Sequence, residues 1–405
     1  MLRGKRISLQ IYTVWHRAVC RENRQESSPI GVLTKPADCI KIKIDLIKGV
    51  MQMRFIHIAD VHLGAVPDKN KAWSEARKKE IVESFERLIY VVREEVPDVL
   101  FIAGDLFHRQ PLLRELKEIN YLFSKIPDTR VVIIAGNHDY IHKDSYYRDF
   151  EWNENVVFLA SKEIESVYFE EINTEIYGAS YYERENTEAL YDNIKIKNEK
   201  HINVLLAHGG DDRHIPINAH RLLLSDFDYV ALGHIHKPGS IGAKDSRAKY
   251  CGALEPLDIN DLGEHGYIRG EVTKTKFYAE FVPFAKRKYL ELDVEINADM
   301  SFLELRHKIA EEIDKNGREN FYRIVFSGVK DEVMQISVED IDKLGNIVRI
   351  EDKSVADYQY DKLIKENGDN LLSRYLRYFL EDERELTDVE KKALDYGIRA
   401  LLLGE

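Results

Sequence analysis

The chain reads as an α/β protein in which helices cover a parallel-type sheet, and three observations lead there. From Met53 onward, apolar strands alternate with amphipathic helices. The strands are apolar without interruption, as strands buried on both faces are. Each ends abruptly in glycine and polar residues, as at "VVIIAGNHDY" (131–140), where ligands collect in open α/β sheets.

The first strand spans residues 55–59. Ala76, Ile81, Phe85, Leu88, Ile89 and Val92 then recur at helical spacing, and Pro97 closes that helix before the strand Val99–Ala103. Pro111 is placed to open a helix over 111–125, and residues 131–135 form the next strand. Residues 155–183 read as short strands, with "EINTEIYG" (171–178) a candidate hairpin. Further strands follow at 203–207 and 229–232. A strand and a hairpin over 249–283 complete a domain spanning 51–283.

"PFAKRK" (283–288) reads as a linker into a small α/β unit over 284–355. That unit has a strand at Tyr289–Ile296 and strands at 321–327 and 347–350. Between them lies a helix opened by a Ser301/Glu304 capping box and stopped by Gly317. It carries no ligand cluster, so its role is packing or covering substrate. The tail, 356–405, is helical, with Thr387 and Glu390 as a capping box and Gly404 as a stop. Leu394, Ile398, Leu401 and Leu402 form one apolar stripe, which packs on its own domain or on a partner.

With 59 Lys and Arg against 71 Asp and Glu, the formal charge is −12. A broad basic DNA-binding face is therefore not expected, although local patches remain open. No apolar run approaches the roughly 18 residues of a membrane span. Cys20, Cys39 and Cys251 form no CxxC or zinc pattern, and their odd number suits a reducing compartment, hence the cytoplasm.

Residues 1–50 differ from the rest: ten Lys and Arg against four Asp and Glu give +6, leaving −18 for residues 51–405. Gln10 and Thr13 interrupt the opening apolar stretch, and His16 and Arg17 stand where a signal-peptidase site would follow, so export is not expected. This segment is either a basic flexible arm for nucleic acid or a spurious extension upstream of a start at Met51 or Met53. The second is preferred, because "KGV" before Met51 can be encoded by a purine-rich ribosome-binding sequence.

The strand ends carry Asp60-x-His62, Gly104-Asp105-x-x-His108, Gly136-Asn137-His138-Asp139, His208-Gly209-Gly210 and Gly233-His234-x-His236. Each alone reads more readily as satisfied structural polar groups than as ligands. Five together, all at strand ends, point to one metal site. Carboxylates and imidazoles suit hard to borderline divalent ions such as manganese, and the lack of thiolates argues against structural zinc. Two such ions with Asp60, Asp105 and a hydroxide leave a local charge of about +1, which attracts a phosphodiester despite the acidic totals. By strand parity His57 faces away from Asp60 and reads as a core residue. His142, His214 and His220 read as surface or loop residues. Lys69, Lys71, Arg109 and Lys237 are candidates for the DNA backbone, with solvated surface an equal alternative.

The set "ADVHLG", "GDLFH", "GNHD", "AHGG" and "GHIH" resembles the calcineurin-like metallophosphoesterases, and within them the SbcD-like DNA repair nucleases. The resemblance covers about 55–283. It implies a sandwich of two β-sheets flanked by helices, with a small α/β capping domain and a helical tail. It implies two divalent ions of the Mn2+ type. Asp60, His62, Asp105 and His236 would hold one; Asp105, Asn137, His208 and His234 would hold the other, with Asp105 bridging. His138 would stabilise the transition state or protonate the leaving oxygen, Asp139 would orient it, and His108 would contact the phosphate. "YCGALEPLDINDLGEHGY" (250–267) resembles the family's closing strand and loop, at the rim of the site.

The implied function is metal-dependent hydrolysis of DNA: an exonuclease and single-strand endonuclease working with an SMC-like coiled-coil ATPase of the SbcC type. A homodimer is implied by the resemblance alone, and no membrane partner is expected. The alternatives are a small-molecule phosphodiesterase or phosphoprotein phosphatase, and a non-catalytic DNA-binding subunit. For the leader, N-terminal mass spectrometry of the native protein is expected to find Met51 or Met53 at the start. A peptide from residues 7–17 would contradict it.

Overall fold

A computed structural model describes residues 51–331, 336–342, 345–380, 384 and 386–402. The readings for residues 1–50 and for Gly404 lie outside the described residues. Strands β1 (Met53–Ile58), β2 (Val99–Ala103), β3 (Arg130–Ile134) and β4 (Val156–Phe158) run parallel, with Phe55 opposite Val99 and Val99 opposite Arg130. An antiparallel hairpin of β11 (Gly266–Val272) and β12 (Phe277–Pro283) closes the β1 edge, giving the order β12-β11-β1-β2-β3-β4.

The second sheet holds β5 (Glu165–Phe169), β6 (Thr174–Gly178), β7 (Ile202–His208), β8 (Tyr229–Gly233), β9 (Gly239–Ser240) and β10 (Ala248–Tyr250), in the order β5-β6-β7-β8-β10-β9. Within it β6, β7, β8 and β10 are parallel.

The two-residue period of a strand assigns the faces. Phe55, Phe101, Ala103, Val132 and Ile134 point toward the second sheet and meet Val204, Leu206, Tyr229 and Ala231. Ile56, Ile58, Leu100, Ile102, Val131 and Ile133 point the other way, onto Ile81, Phe85, Leu88 and Val92 of α1 (Ser74–Glu95) and Leu116 and Phe123 of α2 (Leu113–Phe123). Burial on both faces is why these strands carry no polar alternation. On the far side, Leu222 of α3 (Ala219–Leu224) and Phe227 cover Leu205, Ala207, Val230 and Leu232.

A third sheet places β14 (Phe321–Asp331) between β13 (Tyr289–Ile296) and β15 (Ile347–Asp352), all parallel, with β16 (Val355–Asp357) paired to the end of β14. Leu305, Ile309 and Ile313 of α4 (Phe302–Asn316) pack on Val294, Ile324 and Phe326, and α5 (Val338–Ile341) adds Ile341. The α4 cap is the predicted one, Ser301 with Glu304, and its stop Gly317 has φ +104°. This sheet meets the start of α1, where Trp73 stacks on Phe321 at 5.0 Å; Phe321 stacks in turn on Tyr289 of the adjacent strand at 5.3 Å. Beneath them the buried Arg77 guanidinium donates to Glu255 (3.2 Å) and to the Pro256 carbonyl (2.8 Å). Among the described residues three helices follow, α6 (Tyr360–Asn367), α7 (Leu371–Leu380) and α8 (Asp388–Leu402).

Local readings shift in three places. The hairpin around "EINTEIYG" pairs β5 with β6, so the quoted stretch holds only the turn and the second strand; Asn173, in the left-handed region at φ +48°, makes the turn. Pro111 precedes α2 rather than opening it, because the Glu115 carboxylate reaches back to the Leu112 N–H at 2.8 Å and starts the helix there. The apolar stripe of the last helix is divided. Leu394 and Ile398 are buried with Leu372 and Leu376, whereas Leu401 and Leu402 are exposed.

His57 is the predicted core histidine, wholly buried between the sheets with Nδ1 2.9 Å from the Tyr229 hydroxyl. Burial pushes its imidazole from 6.5 down to about 3. The unfolded chain takes up this proton near pH 6.5 and the folded chain only near 3, so the stability contributed is full above the first value and lost on acidification toward the second. Between pH 7 and 5, urea unfolding with chelator present should show the native sequence losing about 2 kcal/mol more than His57→Phe. Equal losses would contradict this.

Candidate metal centre

All five polar clusters sit at the carboxyl ends of β1, β2, β3, β7 and β8, which point the same way within their sheets. The loops are stitched together by main-chain N–H donors. Asp60 N–H donates to the Gly104 carbonyl (3.2 Å), His62 N–H to that of Asp105 (3.0 Å), and His234 N–H to the Asp60 carboxylate (3.0 Å). Such close approach requires glycine: a Cβ on Gly136 would lie 2.2 Å from Asp105 Oδ1, and one on Gly233 2.0 Å from the Ala103 carbonyl. Nine non-glycine residues among those described have positive φ, and four are predicted ligands: Asp60, His62, Asp105 and His234. Each costs about 1 kcal/mol or more, and such strain persists where the surroundings over-determine the geometry, as at functional sites.

The side chains converge on Asp105. Its Oδ1 accepts the His138 N–H at 2.8 Å, while Oδ2 faces His208 Nε2 at 3.5 Å and His62 Nε2 at 3.7 Å. On one side, His62 Nε2 lies 3.1 Å from His236 Nε2, and Asp60 completes a group whose donor atoms lie within 4.8 Å of one another. On the other, Asn137 Oδ1 lies 2.9 Å from His208 Nε2 and 3.2 Å from His234 Nδ1. Ligands on one divalent ion with bonds of about 2.1 Å stand about 3 Å apart along an octahedral edge, so both groups fit a hard to borderline ion.

Three of the imidazoles keep one nitrogen inward and bind the other outward, which sets the tautomer. His208 Nδ1 donates to the Ala103 carbonyl (2.8 Å), His236 Nδ1 to Asp261 (3.0 Å) and His234 Nε2 to Asp211 (2.6 Å). Without a bound cation, burial pushes Asp60 up to about 6. Burial also drives His62 well below its ordinary value. It opposes the charge of His208, but the Asp105 carboxylate outweighs it and raises that imidazole to about 9. His236 likewise rises to about 9, where the Asp261 bond and Asp60 overcome burial. Protons and cations therefore compete for the inward nitrogens of His208 and His236.

His138 and His108 stand together at the mouth, rings stacked at 5.0 Å, with His138 Nδ1 3.1 Å from the His108 carbonyl and His108 Nδ1 3.3 Å from His62 Nδ1. Asp139 does not orient His138. Its buried carboxylate accepts the Gly136 N–H (2.8 Å), the Phe107 N–H (3.1 Å) and the Tyr147 hydroxyl (2.9 Å). It clamps the loops after β2 and β3 together, and the carbonyl of His108 holds the His138 ring instead. Burial, reinforced by Asp105, pushes the Asp139 carboxyl up to about 7 against these three donors.

Asp211 and Asp261 were missed in the sequence, where only an acid three residues beyond His208 and the acidic run "LDIND" marked them. Asking what binds the outer nitrogen of each ligand histidine would have pointed to both. His214, read as a loop residue, is half-buried, 2.9 Å from Asp211, with its ring 4.6 Å from that of His234. His142 binds the Asp144 N–H locally and His220 is exposed. Lys69, Lys71 and Lys237 are exposed, whereas Arg109 is engaged by Glu115 at 2.7 and 3.0 Å.

Residues 53–238 match the calcineurin-like phosphoesterase family. The chain is 29% identical over 248 residues to the uncharacterized metallophosphoesterase YhaO of Bacillus subtilis, covering 56% of this chain and 60% of that one. It is 31% identical over 224 residues to the DNA double-strand break repair protein Mre11 of Methanocaldococcus jannaschii, covering 53% of this chain and 59% of that protein. It is 24% identical over 382 residues to the Mre11 of Archaeoglobus fulgidus, covering 85% and 82%. The matches thus span about three fifths of the first two relatives. Residues 53–238 are thus similar to the calcineurin-like phosphoesterases, and the observed sandwich of two sheets flanked by helices is consistent with that fold.

Proposed function

We propose that the chain hydrolyses phosphodiester bonds in DNA with a two-ion centre of the Mn2+ type, as an exonuclease and single-strand endonuclease in double-strand break repair or end processing. The observation that supports this most is the convergence of Asp60, His62, His236, Asn137, His208 and His234 on the two sides of one carboxylate, Asp105. The names of the Mre11 relatives support DNA as the substrate. Partners on this reading are DNA, an SMC-like coiled-coil ATPase of the SbcC type and a second copy of the chain. The place of action is the cytoplasm.

Asp60, His62, Asp105 and His236 would hold one ion and Asp105, Asn137, His208 and His234 the other. Bound divalent ions supply Lewis-acid charge and a water acidic enough to attack phosphorus at neutral pH. Asn137 is a neutral ligand, which leaves the centre positive toward a phosphodiester. His138 donates its Nδ1–H to the His108 carbonyl, which leaves Nε2 as the free nitrogen; with both nitrogens protonated, Nε2–H is the proton that would pass to the departing oxygen. His108, stacked on that ring, is the neighbour best placed to meet the phosphate. Asp139 acts at one remove, by fixing the loop on which Asn137 and His138 stand. The third sheet would cover bound DNA, and the helical tail would meet the ATPase.

The test uses full-length protein with Mn2+, linear DNA and a generic phosphodiester ester. His138→Ala should retain both ions by calorimetry yet lose about 100-fold or more in DNA cleavage, whereas Asn137→Ala should lose an ion. Cleavage of the ester but not of DNA, with the ATPase present, would favour a small-molecule phosphodiesterase. No hydrolysis under any of these conditions would leave a binding subunit.

A further inference from the structure

The two histidines of "GHIH" each lean on a carboxylate from a different loop, and the two supports are unlike. Asp211, on His234, has 46% of its side chain exposed, so water can replace it. Asp261, on His236, has 13% exposed, so water has little access there. Its Oδ2 meets His236 Nδ1 at 3.0 Å and Oδ1 stands at 3.2 Å, while His236 Nε2 looks inward at His62.

The loop that carries Asp261 is fixed from outside the site. Its Leu262 bridges to Tyr289, the first residue of β13, and the Gly263 N–H donates to the Tyr289 carbonyl at 3.0 Å. The Tyr289 hydroxyl in turn donates to Asp68 at 2.5 Å. At the start of the loop the buried Glu255 accepts from Arg77, from the Ser84 hydroxyl (2.6 Å) and from the Lys286 N–H (2.7 Å). Asp261 also accepts the Leu257 N–H at 2.8 Å, which sets the carboxylate's own direction.

We propose that Asp261 is a positioning residue for the metal centre: held in place by the docked third sheet, it fixes the tautomer and ring direction of His236. The proposal rests on the two-ion reading above. Carboxylates behind metal-binding histidines raise ligand basicity and orient the ring, and losing one lowers metal affinity about 10–100-fold.

The experiment is Mn2+ titration calorimetry on the full chain after chelation, with thermal melting of the ion-free protein. Asp261→Ala should weaken one of two ions about 10–100-fold and leave the other within about threefold. Asp261→Asn keeps an oxygen for both N–H groups and should recover most of that loss. Asp258→Ala removes an exposed carboxylate of the same loop and should bind as the native sequence does. All three should melt close to the native chain. Native affinity for both ions in Asp261→Ala would overturn the proposal, as would an equal loss in Asp258→Ala or no recovery in Asp261→Asn. A native chain that binds no second ion would overturn the two-ion reading, and this proposal with it.

Discussion

One carboxylate organises the strand ends. Asp105 sits where β2 leaves the first sheet. Its main-chain carbonyl takes the His62 N–H, and its Oδ1 takes the His138 N–H. The remaining oxygen is left facing His62 and His208 from either side. That arrangement needs the backbone of the loop after β3 to lie almost against it, which only glycine at 136 permits. It also needs Asp105 in the left-handed region at φ +50°. The sandwich core supplies the rigidity: strands buried on both faces leave the loops no alternative packing.

The electrostatics follow from this crowding. Asp60, Asp105, His62 and His208 are all buried, so bulk solvent screens their charges little. Three imidazole nitrogens, those of His208, His234 and His236, and the Asn137 amide oxygen point inward, the nitrogens with no hydrogen on the facing side in the tautomers their outer partners select. An arrangement of acceptors facing acceptors about 3 Å apart is repulsive by itself and becomes favourable around a cation. The same lone pairs attract protons, which is why His208 and His236 rise to about 9. Metal occupancy should therefore strengthen as pH rises through that range.

Much of this was legible in the sequence because it is local. A strand fully buried, then glycine, then a ligand is a pattern contained in ten residues, and seven of the ten predicted site residues lie in the two groups around Asp105. What was not legible is longer in range. Asp211 and Asp261 reach histidines 23 and 25 residues away, and nothing in residue order marks that pairing. Asp139 misled through adjacency: the bend after β3 turns consecutive side chains to different sides, and its carboxylate turns back to the Phe107 N–H, 32 residues earlier. The third sheet was legible as strands and a capped helix. Its grip on the Asp261 loop, through Tyr289 and Leu262, was not.

The central claim is that Asp105 stands between two ions. Anomalous scattering from crystals grown with Mn2+ tests it most directly. The account predicts two peaks about 3.5–4 Å apart, one against Asp60, His62 and His236 and one against Asn137, His208 and His234, with the Asp105 carboxylate touching both. A single peak at full occupancy, or two peaks of which Asp105 touches only one, would contradict it.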